Sequence, residues 1–441
     1  MPTVIAFPRN PQYLLEHSAF EKDPMPYIKK TLPNGVRLLM EPVRGVRSAS
    51  VGMWMEVGSR DEMPSESGIS HFIEHMFFKG SARHDAFEIN DAMNFLGGHF
   101  NAFTSQEAIC LHARLIDEQL AQGIDLLAEV LLTPQLPAEE IERERMVILE
   151  ELKMIEDTPD DLVMDVFHEV MWADDPVGRP IVGSADTVGR FKREDLRAYM
   201  EREFSPERLI ISVAGSFDRK AVETQVRRLF ADLEHREAPP RTAQPPKATF
   251  QFSHRIKDVE QVQFCFGGLA PSRADELRYN FAVLNSIYGG GMSSRIFREV
   301  REKRGLAYSI GSFSVSMRNT GAFAISGGTS PSALEPVLKL CRREARDLVK
   351  NGPSEQELSL AKQQLRASVL FSLEHTGSRM SQLAEQEMYL GRQTSVDETL
   401  RRLDAVTARD VQETAAMFYD KAKLAVALVG PAISKPPIQR F

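Results

Sequence analysis

The sequence predicts an α+β protein built as two homologous domains in tandem, each a mixed or antiparallel β-sheet covered by helices. Three observations predict it. Segments of period-two apolar alternation and segments of helical periodicity succeed each other along both halves of the chain. A stretch from Glu237 to Lys247, with Pro239, Pro240, Pro245 and Pro246, interrupts them near the middle. Proline-rich sequence without apolar periodicity makes an extended, fairly stiff linker. Beyond it the pattern begins again, and 441 residues exceed what one hydrophobic core usually serves.

Taken in order, residues 1–26 read as an irregular arm. Asn34-Gly35 is a hairpin turn between short strands at Tyr27–Leu32 and Val36–Glu41. Ser48–Val57 alternates, with Val51, Met53, Met55 and Val57 on one face and Gly52, Trp54 and Glu56 on the other, which is a strand. Ser65–Phe78 reads as a helix with Ser65 or Ser67 as N-cap. A second helix runs from Pro137 to about Ile155, proline suiting its first turn and Thr158-Pro159 ending it. Leu209–Val213 is a buried strand closed by Gly215, followed by an amphipathic helix over Asp218–Leu233. After the linker, placed at 237–248, Glu260–Gly267 is again a strand. Ser272, Arg273, Asp275 and Glu276 follow it as Ser59, Arg60, Asp61 and Glu62 follow the strand at Val51–Val57. Phe204 with Leu209–Val213 and Gly215 matches Phe418 with Leu424–Val429 and Gly430. The expected units are therefore 27–236 and 249–432, with a tail at 433–441.

Composition narrows the function classes. With 42% apolar and 26% charged residues the chain can bury an ordinary core. A net charge of -8 and a pI near 5.8 argue against nucleic-acid binding, which wants a basic face. Cys110, Cys265 and Cys341 are far apart and lie in apolar or amphipathic runs, so they read as buried thiols, and reducing surroundings, hence a cytoplasmic location, follow. No run is long enough for a membrane span, and Met1–Phe20 lacks the continuous apolar core of a signal peptide.

The chemistry lies in His71-Phe72-Ile73-Glu74-His75. On a helix, residues four apart project from nearly one face, so both imidazoles can share a zinc ion, and Glu74 flanks the same face. A catalytic zinc takes three protein ligands and keeps one position open. The Pro137 helix offers Glu144 and Glu151, seven apart and on one face. Taken alone, histidines four apart are commonplace on exposed helices, and two helical glutamates read as solvated charges.

The combination resembles a family. Ser67-Gly68-Ile69-Ser70-His71-Phe72-Ile73-Glu74-His75-Met76 followed by Lys79-Gly80 is similar to the zinc helix of the pitrilysin/insulinase metallopeptidases. Glu142–Glu151 resembles their second helix, with the spacing of the branch holding mitochondrial processing peptidase and its short bacterial relatives. The resemblance implies one Zn²⁺ per chain on His71, His75 and Glu151, with Glu144 in support and Glu74 as general base. Gly97–Glu107 resembles the family's active-site strand, implying that Asn101 and Ala102 hold the substrate backbone by strand addition. Gly289–Arg295 with Arg301 through Tyr308 resembles its arginine–tyrosine element, implying substrate binding and oxyanion stabilisation by Arg301 and Tyr308. Without that likeness, Gly289–Gly291 reads as a turn, Asn101 as a turn residue, and Arg301 and Tyr308 as ordinary surface and strand residues.

The resemblance also implies a clamshell of two chains, each one half, closing a chamber on peptides or unfolded segments. A homodimer is self-sufficient, and pairing with an inactive relative is compatible with the same pattern. The helix expected at Leu277–Tyr288 contains no His, Asp, Glu or Cys, so the second copy carries no metal site. The expected activity is zinc-dependent endopeptidase. Its rivals are a non-catalytic peptide-binding or assembly subunit of the same family and a scaffold with a structural metal.

Overall fold

A computed structural model describes residues 27–241, 243–420 and 424–433. The arm expected over 1–26 and nearly all of the tail expected over 433–441 lie outside the described residues.

The first half opens with the hairpin β1 (Ile28–Thr31) and β2 (Arg37–Pro42), then β3 (Ser48–Met55). Helices α1 (Ile69–Met76) and α2 (Ala86–Leu96) precede a second hairpin, β4 (His99–Thr104) and β5 (Ile109–Ile116). Helices then follow without an intervening strand, first α3 (Leu120–Leu132), α4 (Ala138–Asp157), α5 (Pro159–Met171) and the short α6 (Ala185–Val188). Then come α7 (Arg193–Glu203), β6 (Leu209–Gly215) and α8 (Arg219–Phe230). The stretch expected as a linker has no helix or strand among its described residues. The second half contains β7 (Phe252–Ile256), β8 (Val262–Leu269), α9 (Arg278–Tyr288), β9 (Ala307–Ser316) and β10 (Gly321–Thr329). It ends with α10 (Leu334–Asn351), α11 (Glu355–Ser372), α12 (Thr376–Leu390), α13 (Val396–Ala405), α14 (Ala408–Ala415) and β11 (Ala425–Gly430).

The two sheets repeat one topology. The first runs β1-β2-β6-β3-β5-β4 and the second β7-β11-β8-β10-β9. In each, one parallel pair (β2 with β6, β7 with β11) is followed outward by three antiparallel pairs. β4 and β9 are the corresponding free edges. Among the described residues the second sheet has no counterpart of β1.

The alternation along β3 is buried on both sides. Val51, Met53 and Met55 face a core shared with α1, α3 and α8, while Trp54 faces a smaller apolar cluster with Met380, Leu383 and Ala384 of α12. Thus a helix from the second half closes the far face of the first sheet. The exchange is mutual. α5, from the first half, lays Val163, Val166, Phe167 and Met171 on Cys265, Ala322, Ala324, Ala425 and Ala427 of the second sheet. Alanines on those strands let the helix approach closely. Ser50 meets Thr376 at 2.9 Å, and the buried Glu387 of α12 accepts from Lys29 at 2.7 Å, so the crossed elements are also tied by polar contacts.

Candidate active site

α1 is the element on which the site rests, and its start differs from the expectation. Neither Ser65 nor Ser67 caps it. The helix begins at Ile69, behind Gly68 in the left-handed region (φ 93°). A side chain there is excluded twice, since a Cβ would also lie 2.5 Å from the Val182 carbonyl oxygen. The cap is Glu62, whose buried carboxylate accepts from the N–H groups of Gly68 and Ser70, both at 2.9 Å. An acidic group at a helix N-terminus satisfies orphan donors and complements the dipole. It arrives from a preceding loop, outside the local window in which a cap is sought.

One turn along, His71 and His75 stand side by side, ring centroids 4.7 Å apart. α4 crosses α1 and presents Glu144 and Glu151 on the facing side. The Glu151 carboxylate lies 3.7 Å from Nε2 of His71 and 3.7 Å from Nε2 of His75. Donor atoms around a tetrahedral zinc at about 2.0–2.1 Å sit roughly 3.4 Å apart, so these spacings nearly fit the ion. The three donors lie within 4.8 Å of one another, and no other group of this kind occurs among the described residues. Burial, then the neighbouring His75, push the His71 imidazole down to about 4, which keeps its lone pair free for a metal.

Around this trio lies a supporting layer. His75 Nδ1 is 2.9 Å from Glu144, whose other oxygen is 2.7 Å from Lys79 Nζ. The contact fixes the ring and leaves Nε2 toward Glu151. Burial works to raise the Glu144 carboxyl, but the hydrogen bonds of His75 and Lys79 outweigh it and hold it below the ordinary range. Glu74 accepts from the Thr104 hydroxyl at 2.7 Å. Burial pushes its carboxyl upward, with the Thr104 bond opposing, so it is biased toward holding a proton more firmly than a free glutamate does.

Thr104 closes β4, the free edge that also carries Asn101 and Ala102. The Asn101 side chain accepts from the Ala102 N–H at 2.9 Å. The structure therefore gathers His71, His75, Glu151, Glu144 and Glu74 beside the edge bearing Asn101 and Ala102. Arg301 and Tyr308 lie in the second half, Arg301 on a π-helical turn (Phe297–Glu302) and Tyr308 at the start of β9. The guanidinium sits 4.9 Å above the Tyr308 ring, and Tyr308 is 81% exposed, so its hydroxyl is available to a ligand. Among the described residues, no hydrogen bond, ion pair or ring contact joins these two to the histidine cluster.

Sequence reasoning assigned no role to Thr104, Lys79 or Glu62. Lys79 carried a local signal, since it follows His75 by one turn. Thr104 and Glu62 are placed by tertiary packing.

The repeated sheet thus carries a two-histidine, one-glutamate cluster on its first copy. Residues 38–185 match the family Insulinase (Peptidase family M16), and residues 190–365 match Peptidase M16 inactive domain. The chain belongs to the M16, or insulinase, family. Among its relatives, an uncharacterized zinc protease of Streptomyces coelicolor is 37% identical over 92% of this chain and 90% of its own length. One of Bacillus subtilis is 36% identical over 92% and 98%. A protease from Helicobacter pylori shares the fold, with TM-score 0.85 and 20% identity over 92% of this chain and 99% of that one. So does the peptidase M16 inactive domain structure from Pseudomonas fluorescens, with TM-score 0.84 and 22% identity over 93% and 100%.

Proposed function

We propose that this chain is a zinc-dependent endopeptidase acting on peptides or unfolded segments. The observation that carries the reading is the convergence of His71, His75 and Glu151, from two helices far apart in sequence, at spacings suited to one zinc ion. The relatives named as zinc proteases cover nearly the whole chain and support it. When bound, zinc supplies Lewis acidity toward water and the scissile carbonyl.

The chain's own residues do the rest. Glu74, placed by Thr104, takes a proton from the attacking water and delivers it to the leaving amine. Burial, which raises its affinity for the proton, favours that exchange. β4 lends its free backbone edge to an extended peptide, with Asn101 and Ala102 at the point of pairing. Glu144 and Lys79 orient His75. Tyr308, steadied by Arg301, donates to the oxyanion once the second half of an enclosing chamber brings it near. That chamber is a pair of chains, two copies of this one or this chain with an inactive relative. Among the described residues no helix is long and apolar enough to cross a membrane. Three buried free cysteines accord with a reducing, cytoplasmic setting.

The test is Glu74→Gln. The variant should bind one zinc per chain while cleavage of a quenched peptide falls by about 10²- to 10⁴-fold. Wild-type turnover by that variant would remove Glu74 from the mechanism. A zinc-loaded wild type that binds peptides without cutting them would make the chain a non-catalytic subunit.

A further inference from the structure

Among the described residues β4 pairs with β5 alone, so its outer side has no strand to steady it. Its last residue, Thr104, must nevertheless stay in place to hold Glu74. The support comes from the turn that follows. The carbonyls of Ser105 and Gln106 accept from the N–H groups of Ser59 and Arg60, at 3.1 and 3.0 Å. Beside them Glu107 is buried, only 3% exposed. Its two oxygens are committed to opposite halves of the chain. One accepts from the Arg60 guanidinium. The other accepts at 2.9 Å from the main-chain N–H of Arg318, in the turn between β9 and β10. Arg60 donates to the Asn319 side chain in that same turn, at 3.1 Å. Burial and then the charge of Glu107 push up the hydroxyl of Tyr389 on α12, which puts a third element beside the carboxylate.

We propose that Glu107 is a positioning residue for hydrolysis: through it the second half of the chain holds the end of β4, and so sets Thr104 and Glu74 against the metal ligands. The inference rests on the peptidase reading and adds to it a means by which the second half governs chemistry carried by the first. A strand that leaves one edge open to a peptide cannot be stiffened along that edge, so its turn is where it can be held. The path is short. Glu107 follows Thr104 by one turn of the hairpin, and Arg60 shortly precedes Glu62, which caps α1. A buried carboxylate shared by a guanidinium and a main-chain N–H resists displacement, because moving it strands a charge and its donors without partners. Reaction geometry is sensitive on this scale, since a misplacement of about 1 Å that originates far from the chemistry can cost about 10²-fold in rate.

The experiment uses the full-length, zinc-loaded protein and a quenched peptide. Glu107→Gln should lower kcat by about 10- to 100-fold, with KM within about twofold of the wild type and zinc retained. Tyr389→Phe removes one hydroxyl on the second-half side and should lower kcat in the same manner by about fivefold. Thr104→Val frees Glu74 directly. Adding Glu107→Gln to it should cost less than about twofold more, because both changes act through one contact. Should Glu107→Gln melt too early to assay, Tyr389→Phe takes its place in the same cycle. Hydrogen exchange at the Ser105 and Ala108 amides, both bonded within the turn, should accelerate in Tyr389→Phe. Three results overturn the role: a rise in KM with kcat unchanged, an equal loss with and without Thr104, or activity lost only in proportion to zinc. Absence of cleavage by the wild type overturns the peptidase reading instead, and the exchange measurement then decides whether the second half holds β4.

Discussion

Glu144 is acidic, nearly buried and flanked by an imidazole and an ammonium group, and each of those facts has a consequence. Its carboxylate spans His75 and Lys79, at 2.9 and 2.7 Å, so it orients a proposed ligand on one side and is itself held on the other. Removing such a partner typically weakens a metal site by about 10- to 100-fold. Glu144→Ala should do so here, measured by competition with a zinc chelator. Lys79→Met should weaken zinc in the same direction but less, and Lys79→Arg should restore it. Unchanged zinc affinity in Glu144→Ala would mean that His75 is fixed by packing alone. Sequence reasoning reached Glu144 by its spacing from Glu151, and did not assign Lys79.

At the scale of elements, α1 is eight residues long and carries the histidine pair and Glu74, so its cap controls the site. Burial pushes the Glu62 carboxyl up to about 7, while the bonds it accepts from Ser70 and Gly68 oppose the shift. The folded protein therefore holds this proton more tightly than the unfolded chain. The stability this confers is complete below about pH 4.5 and is lost as the pH rises through about 7. Measured against Glu62→Gln between about pH 5 and 8, the wild type should lose relative stability on the order of 3 kcal/mol. Parallel stability curves for the two proteins would show that Glu62 stays ionised throughout.

For the whole molecule, the crossed helices matter most. α5 belongs by sequence to the first half and by packing to the second, while α12 does the reverse. The stretch 237–248, expected as a linker, therefore falls between the two sheets in sequence but does not divide the helices that cover them. Phe167, which α5 buries fully against the second sheet, should show this: Phe167→Ala should cost about 3–5 kcal/mol in urea unfolding. Hydrogen exchange should accelerate in β8, β10 and β11 of the second sheet. Faster exchange confined to the first sheet would contradict the crossing.

The sequence by itself determined the repeated α+β units, most of their strands, and the helix that bears the histidine pair, because periodicity and proline breaks are local. It also brought Glu144 and Glu151 to one helical face. Which helix covers which sheet, that Glu62 rather than a serine caps α1, and that Thr104 holds Glu74 were decided by the tertiary structure. Each joins residues distant in the chain. Such contacts depend on how packed layers meet, and no short window of sequence encodes that.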